Sequence, residues 1–307
     1  MILLFGTLRK DVLDPRNEAL NRLRKFMDSW EPDLKRFIVG GRDDDNISYK
    51  DIREALLSGK IPKQVFLQWQ QKYAMFVADA LQPVWDEAFE VASEQVSAKR
   101  PGFQFDPAAQ AVRKWTENRA ADFVTGCSKE TKAGIRAALR HSVYHEDIGV
   151  DELAKVIRPM VGLTRPQVVA NQNYYNRLLG NGMKTEKAAQ RSIKYAEQQH
   201  RYRAQMIART ESAMAYNHAE YETIRQAQAK GYMGRVNKVW CTADDERTCE
   251  VCGALDGKSI EMDENFEFST KLPKSHGTTR VPPAHPHCRC TALYEEYEAP
   301  DIQGGAA

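Results

Sequence analysis

Five of the six cysteines fall between Cys241 and Cys290, close to one end of a 307-residue chain, and Cys127 stands alone upstream. The segment around them is rich in Gly and Pro and poor in apolar residues, so it cannot form a large core by itself. It needs a cross-link, and its side chains supply one. Cys249 and Cys252 offer two thiolates on one tight turn. His285-Pro286-His287-Cys288-Arg289-Cys290 offers a second group of ligands further on. Two pairs with this spacing suit a tetrahedral zinc ion.

The spacing favours Cys249, Cys252, His285 and Cys288 as the four ligands, with Cys290 as the substitute. In an extended segment His287, Cys288 and Cys290 do not all face one ion. The alternative is a disulfide or plain buried thiols. The first apolar run, Ile2 to Phe5, is too short for a signal peptide, and a reducing cytoplasm disfavours disulfides. Four protein ligands fill a tetrahedron and leave no place for a reactive water, so the expected zinc is structural, one per chain. It would contribute on the order of 10 kcal/mol to folding the module.

Upstream, the pattern is helical. From Phe66, the residues Trp69, Tyr73, Phe76, Val77, Ala80, Leu81, Val84, Trp85, Ala88, Phe89, Ala92 and Val96 recur at three and four. Pro83 inside this run predicts a kink or break. Asp106-Pro107 predicts a helix start, with an end near Gly126 and a new cap at Ser128. Thr164 and Gln167 make a capping box before a helix ending near Gly180, and Thr185 starts another that continues toward Gly231. Residues 14 to 60 read as a helix, a polar loop through Gly40, Gly41 and Asp43 to Asp45, and a short helix ending near Gly59. After Gly231, Val236, Val239 and Trp240 suggest a strand.

The expected fold is a mainly α N-terminal region with a small C-terminal α+β zinc-stapled domain. Its expected parts are a helical region at 1–200, the stapled domain at 201–295 and a flexible tail at 296–307.

Ala208-Arg209-Thr210-Glu211, Asn217, Trp240, Asp245 to Cys249, Cys252, Leu255-Asp256-Gly257-Lys258 and Pro282 to Thr291 occur in an order that resembles the phage Mu F-like domain. The resemblance covers about a third of the chain, weakly from near residue 160 and strongly from 205, and leaves residues 1–150 unmatched. It implies a minor head protein of a tailed bacteriophage, present in few copies in the virion and made in the host cytoplasm. Its implied partners are the portal protein, capsid or scaffolding proteins of the prohead, and packaged double-stranded DNA. The chain keeps the family's Cys/His pattern at Cys249, Cys252, His285, Cys288 and Cys290.

Other polar residues are weighed beside the cysteines. Arg209, Glu211 and Asn217 form a candidate structural polar cluster that binds the following β module. Glu211 as a general base lacks a neighbouring histidine or nucleophile. Asp244, Asp245 and Glu246 read as the solvated face of a turn rather than a nuclease metal site. Lys184, Lys187, Arg191, Lys194 and Arg201 line one helical face, with Arg203 close by, and could meet DNA phosphates or an acidic portal surface.

A formal net charge of +2 gives no bulk attraction for nucleic acid. No stretch approaches the roughly 20 apolar residues of a membrane span, so no membrane partner is expected. The alternative to a structural protein is a zinc-knuckle nuclease or toxin-like effector delivered with the phage genome, for which His218 and His276 are the spare histidines. A free DNA-binding protein is the other.

Overall fold

The computed structural model describes residues 14–40, 53, 63–142, 151, 155–156, 158–160, 162–243, 245–271 and 274–297. Of the expected loop, Gly41 to Asp45 lie outside them, whereas Gly40 still belongs to the preceding helix; the short helix ending near Gly59, Asp244 and most of the tail also lie outside, as do the side chains of Trp69, Tyr73, Cys127, Ser128 and His276.

The chain is mostly helical with a small strand region near its C-terminal end. Helix α1 spans Pro15–Gly40, α2 Lys63–Lys99, α3 Gln110–Ser142, α4 Arg165–Gly180 and α5 Thr185–Ala229. A 3-10 turn at Arg158–Met160 precedes α4. Strand β1 (Val236–Cys241), the short helix α6 (Glu250–Leu255) and strands β2 (Ser259–Glu261), β3 (Phe266–Lys271), β4 (Lys274–Thr279) and β5 (Thr291–Glu296) follow. None of the described helices is long and apolar enough to cross a membrane.

The helix signals behave unequally. Gln167 Oε1 accepts the backbone N–H of Thr164 at 3.0 Å, as a capping box requires, and α4 ends at Gly180. Helix α5 stops two residues before Gly231, whose φ of 75° is open to glycine at little cost. Pro83, however, breaks nothing: α2 runs through it, with Val77 and Leu81 buried before it and Val84, Trp85, Ala88 and Ala92 after it. Burial on both sides outweighs one lost backbone hydrogen bond. Gly126 and Ser128 likewise lie inside α3. Asp106 does not cap that helix. Its N–H donates to Gln226 Oε1 at 2.8 Å and its carbonyl accepts from Gln226 Nε2 at 3.1 Å, and the helix begins only at Gln110.

The chain divides into two compact units. One contains residues 30–87 and 107–209. Its core gathers Met160, Leu163, Val168, Tyr175, Leu178, Ala188 and Ala196. At the centre Asn171 Nδ2 donates to the carbonyl of Ser192 at 3.1 Å, and Gln199 Nε2 donates to that of Gln167 at 3.1 Å, so the buried amides are paired. Gly134 of α3 has no room for a side chain, since a Cβ there would lie 2.3 Å from the Leu163 carbonyl oxygen.

The other unit contains residues 1–29, 88–106 and 210–307. Its three-stranded antiparallel sheet has the order β2-β1-β5, with Val239 opposite Ser259 on one side and Leu293 on the other; β3 and β4 form a separate hairpin. Trp240, Cys252, Leu255, Phe266, Cys288 and Cys290 make one apolar cluster, in which the Trp240 and Phe266 rings meet edge to face at 5.1 Å. The lysine of β1, Lys238, is fully buried. Its ammonium donates to the carbonyls of Met262 at 2.8 Å and Glu264 at 2.7 Å and lies 5.1 Å from the Tyr221 ring centre.

Candidate metal centre

The candidate ligands come from two short segments. Asp245 to Thr248 forms a turn, closed by Thr248 N–H donating to the Asp245 carbonyl at 2.8 Å, and delivers Cys249 to the N-cap position just before α6. There the Cys249 sulfur accepts the Cys252 N–H at 3.4 Å, and the helical turn brings both sulfurs to one side. The second segment, 285–290, is a turn and not a strand. His287 takes a φ of 61°, in the left-handed region, and its N–H donates to Thr210 Oγ1 of α5 at 3.1 Å. The turn removes the alternation expected of an extended chain. His285, Cys288 and Cys290 therefore all approach Cys252.

Two overlapping groups result. Cys249, Cys252 and His285 have ligand atoms within 4.8 Å of one another, and so do Cys252, Cys288 and Cys290. His285 Nε2 lies 3.1 Å from the Cys249 sulfur and 3.2 Å from that of Cys252, and the Cys252 and Cys288 sulfurs are 3.6 Å apart. A disulfide needs about 2.05 Å, so these are free thiols. Ligands bonded at about 2.0 to 2.3 Å form a tetrahedron with edges of roughly 3.3 to 3.8 Å, near these three separations, although the two groups together do not all lie within 4.8 Å of one another. The cavity among them measures about 20 Å³.

His285 Nδ1 lies 2.7 Å from the Pro286 carbonyl oxygen. A carbonyl only accepts, so Nδ1 carries the proton and Nε2 presents its lone pair to the sulfurs, the tautomer a metal needs. Within the sulfur cluster, hydrogen bonds from Cys252 and then Cys290 pull the Cys288 thiol well below its ordinary range, and the Cys288 contact pushes Cys252 up. A thiolate is thus favoured at Cys288. The donor set can hold a metal ion.

Surrounding residues hold both segments. Arg289, between two of the cysteines, reaches back to Asp245 with Nη1–Oδ2 at 2.7 Å and Nη2–Oδ1 at 2.5 Å. Asp245 is therefore more than a solvated turn acid; the sequence shows the two charges but not that the chain folds to join residues 44 positions apart. Asp256 Oδ1 accepts Thr242 N–H at 2.8 Å and pairs with Arg16 at 2.5 Å. Gly257 N–H donates to the Trp240 carbonyl at 2.9 Å, and Trp240 N–H donates to that of Lys258 at 3.0 Å. The Leu255-Asp256-Gly257-Lys258 motif thereby seats Trp240 beside the cysteines.

Arg209, Glu211 and Asn217 have separate surroundings. Arg209 pairs with Glu31, Glu211 is buried, and Asn217 binds the start of β5. Asn217 Oδ1 accepts Thr291 Oγ1–H at 2.9 Å and Ala292 N–H at 3.1 Å, and its Nδ2 donates to the Cys290 carbonyl at 3.4 Å. Lys184, Lys187, Arg191, Lys194 and Arg201 are all exposed, whereas Arg203 is 1% exposed and pairs with Glu130 at 2.9 Å. His218 packs edge-on against Phe89, and burial, helped by Arg225, lowers its pKa to about 3.

A family model described as "Phage Mu protein F like protein" matches residues 134–293. The match takes in 160 positions, just over half of the chain, and reaches back into α3, further upstream than the motifs alone indicate. Neither a curated protein nor a solved structure matches.

Proposed function

Because the chain belongs to the phage Mu protein F-like family, a family of phage head-morphogenesis proteins, we propose that it is a structural minor head protein of a tailed bacteriophage. In this reading it acts at the portal vertex and prohead interior while the head assembles, and it stays in the virion. The observation that carries it is the family match, which covers the helices of residues 165–229 and the whole Cys/His cluster in one span.

The metal in this reading is zinc, one per chain. Cys249, Cys252, His285 and Cys288 hold it, and Cys290 stands close enough to replace one of them. Zinc accepts this mixture of thiolates and imidazole without redox chemistry and, with four protein ligands, acts as a cross-link between residues 245–252 and 285–290. Residues 201–295 then form the zinc-stapled domain, and the helical region before it offers the surfaces for portal, capsid or scaffolding proteins. The exposed row Lys184, Lys187, Arg191, Lys194 and Arg201 is suited to an acidic portal surface or to packaged double-stranded DNA.

Co-expression with the cognate portal, followed by capture of the portal and by purification of proheads, tests the assignment. Retention of the chain on the portal and in proheads is expected. A chain that stays free in both preparations would refute it.

A further inference from the structure

We infer that the Cys/His cluster is a zinc–disulfide exchange site: under a hydroperoxide, a Cys252–Cys288 disulfide takes over from the ion the tie between residues 245–252 and 285–290. The inference rests on the zinc reading above and adds a regulation to the same centre.

The two ligand groups have one member in common, Cys252. Cys249, in the first group, is half-buried, whereas Cys252, Cys288 and Cys290 are buried in the apolar cluster with Trp240 and Phe266. Cys252 therefore stands between the thiol of the cluster that solvent reaches and the two that it does not. The Cys252 and Cys288 sulfurs are 3.6 Å apart, so a bond of about 2.05 Å needs an approach of about 1.5 Å, within reach of rotation about the two Cα–Cβ bonds.

Oxidation begins at the accessible sulfur. The Cys249 thiolate attacks one peroxide oxygen, the O–O bond breaks, and hydroxide leaves behind a sulfenic acid. The Cys252 thiolate displaces hydroxide from that sulfur and closes a Cys249–Cys252 disulfide. The Cys288 thiolate then attacks the Cys252 sulfur, and Cys249 departs as a thiolate. In sum, the sulfurs of Cys252 and Cys288 each lose one electron, and the peroxide gains two and becomes two hydroxides. Of the ligands that remain, Cys249 and His285 belong to one group and Cys290 to the other, so no three stand together and the chain no longer holds zinc. The new bond still joins the two segments, and it lies among buried apolar side chains, away from soluble thiols. A head protein is made in a reducing cytoplasm and stays in a virion that leaves it, a course on which a tie that outlasts the change is of use.

The test treats the zinc-loaded full chain with hydrogen peroxide, blocks remaining thiols by alkylation, and follows it by native mass spectrometry and peptide mapping. The chain should lose one zinc ion and two hydrogens in step, with Cys252 and Cys288 as the linked pair at the end. Residues 236–296 of the oxidised chain should keep the amide protection that a reduced, chelator-treated chain loses. Cys249→Ser, compared with the parent after both are stripped of metal, should form the Cys252–Cys288 bond at least roughly tenfold more slowly, because the accessible thiol is gone. Zinc retained while Cys249 is oxidised, any other linkage as the end product, lost protection in the oxidised chain, or equal rates in Cys249→Ser would overturn the exchange. A starting chain without zinc would instead contradict the zinc reading, and this inference with it.

Discussion

Asp245 and Arg289 meet through two parallel contacts, Oδ2 to Nη1 at 2.7 Å and Oδ1 to Nη2 at 2.5 Å. The pair joins the turn before Cys249 to the turn that carries Cys288 and Cys290, so it fixes the distance between the two ligand segments. The guanidinium holds the Asp245 carboxyl well below the usual carboxylate range. Asp245→Asn keeps the size and loses the charge. Outer partners of this kind matter about 10- to 100-fold for metal affinity. Competition against a chromophoric chelator should show zinc bound at least tenfold more weakly in Asp245→Asn.

Cys252 belongs to both ligand groups, which makes it the most sensitive single position in the centre. Cys252→Ser, or stripping the metal with a chelator, should expose the backbone of residues 236–296 to amide exchange while α4 keeps its protection. Equal protection of 236–296 with and without metal would show that the apolar cluster around Trp240 and Phe266 suffices alone.

Asn217 accounts for one motif position by itself. Its side chain satisfies Thr291 and Ala292 at the start of β5 and touches the Cys290 carbonyl. Asn217→Ala leaves these buried groups unpaired, which costs about 2 to 3 kcal/mol. Chemical denaturation followed by far-ultraviolet circular dichroism should register that loss, and zinc affinity should fall with it.

Burial raises the Glu220 carboxyl from an ordinary 4.5 to about 7, against the opposing charge of Arg22. Below 4.5 the folded and unfolded chains are both protonated there. Between 4.5 and 7 the folded chain holds the extra proton, so stability falls as pH rises, by up to about 3 kcal/mol in all. Glu220→Gln should flatten that slope and melt higher than the parent at pH 8, with little difference at pH 4. Parallel melting-temperature profiles for the two chains would exclude this origin of the slope.

Much of the architecture is legible in the chain because its causes are local. Thr164 with Gln167, Gly180 and Gly231 act within a few residues of themselves, and the Cys and His residues that gather into the two groups stand out by type and spacing. Pro83, Gly126 and Asp106 mislead for the complementary reason. Their local preferences are worth little beside buried helix faces and a clamp from Gln226, which arrives from 120 residues away. Arg203 belongs by sequence with the basic row at Lys184 to Arg201, yet Glu130 draws it inside. The left-handed turn at His287, tied to Thr210, has no signal in the residues themselves, and it is what brings Cys290 within reach of the centre.

Native mass spectrometry of the full chain, expressed with ample zinc and compared with Cys252→Ser, addresses the cross-linked centre most directly. One zinc per parent chain and none, or a small residual fraction, in Cys252→Ser is the predicted result. A parent chain that carries no metal, or a variant that holds zinc as firmly as the parent, would contradict it.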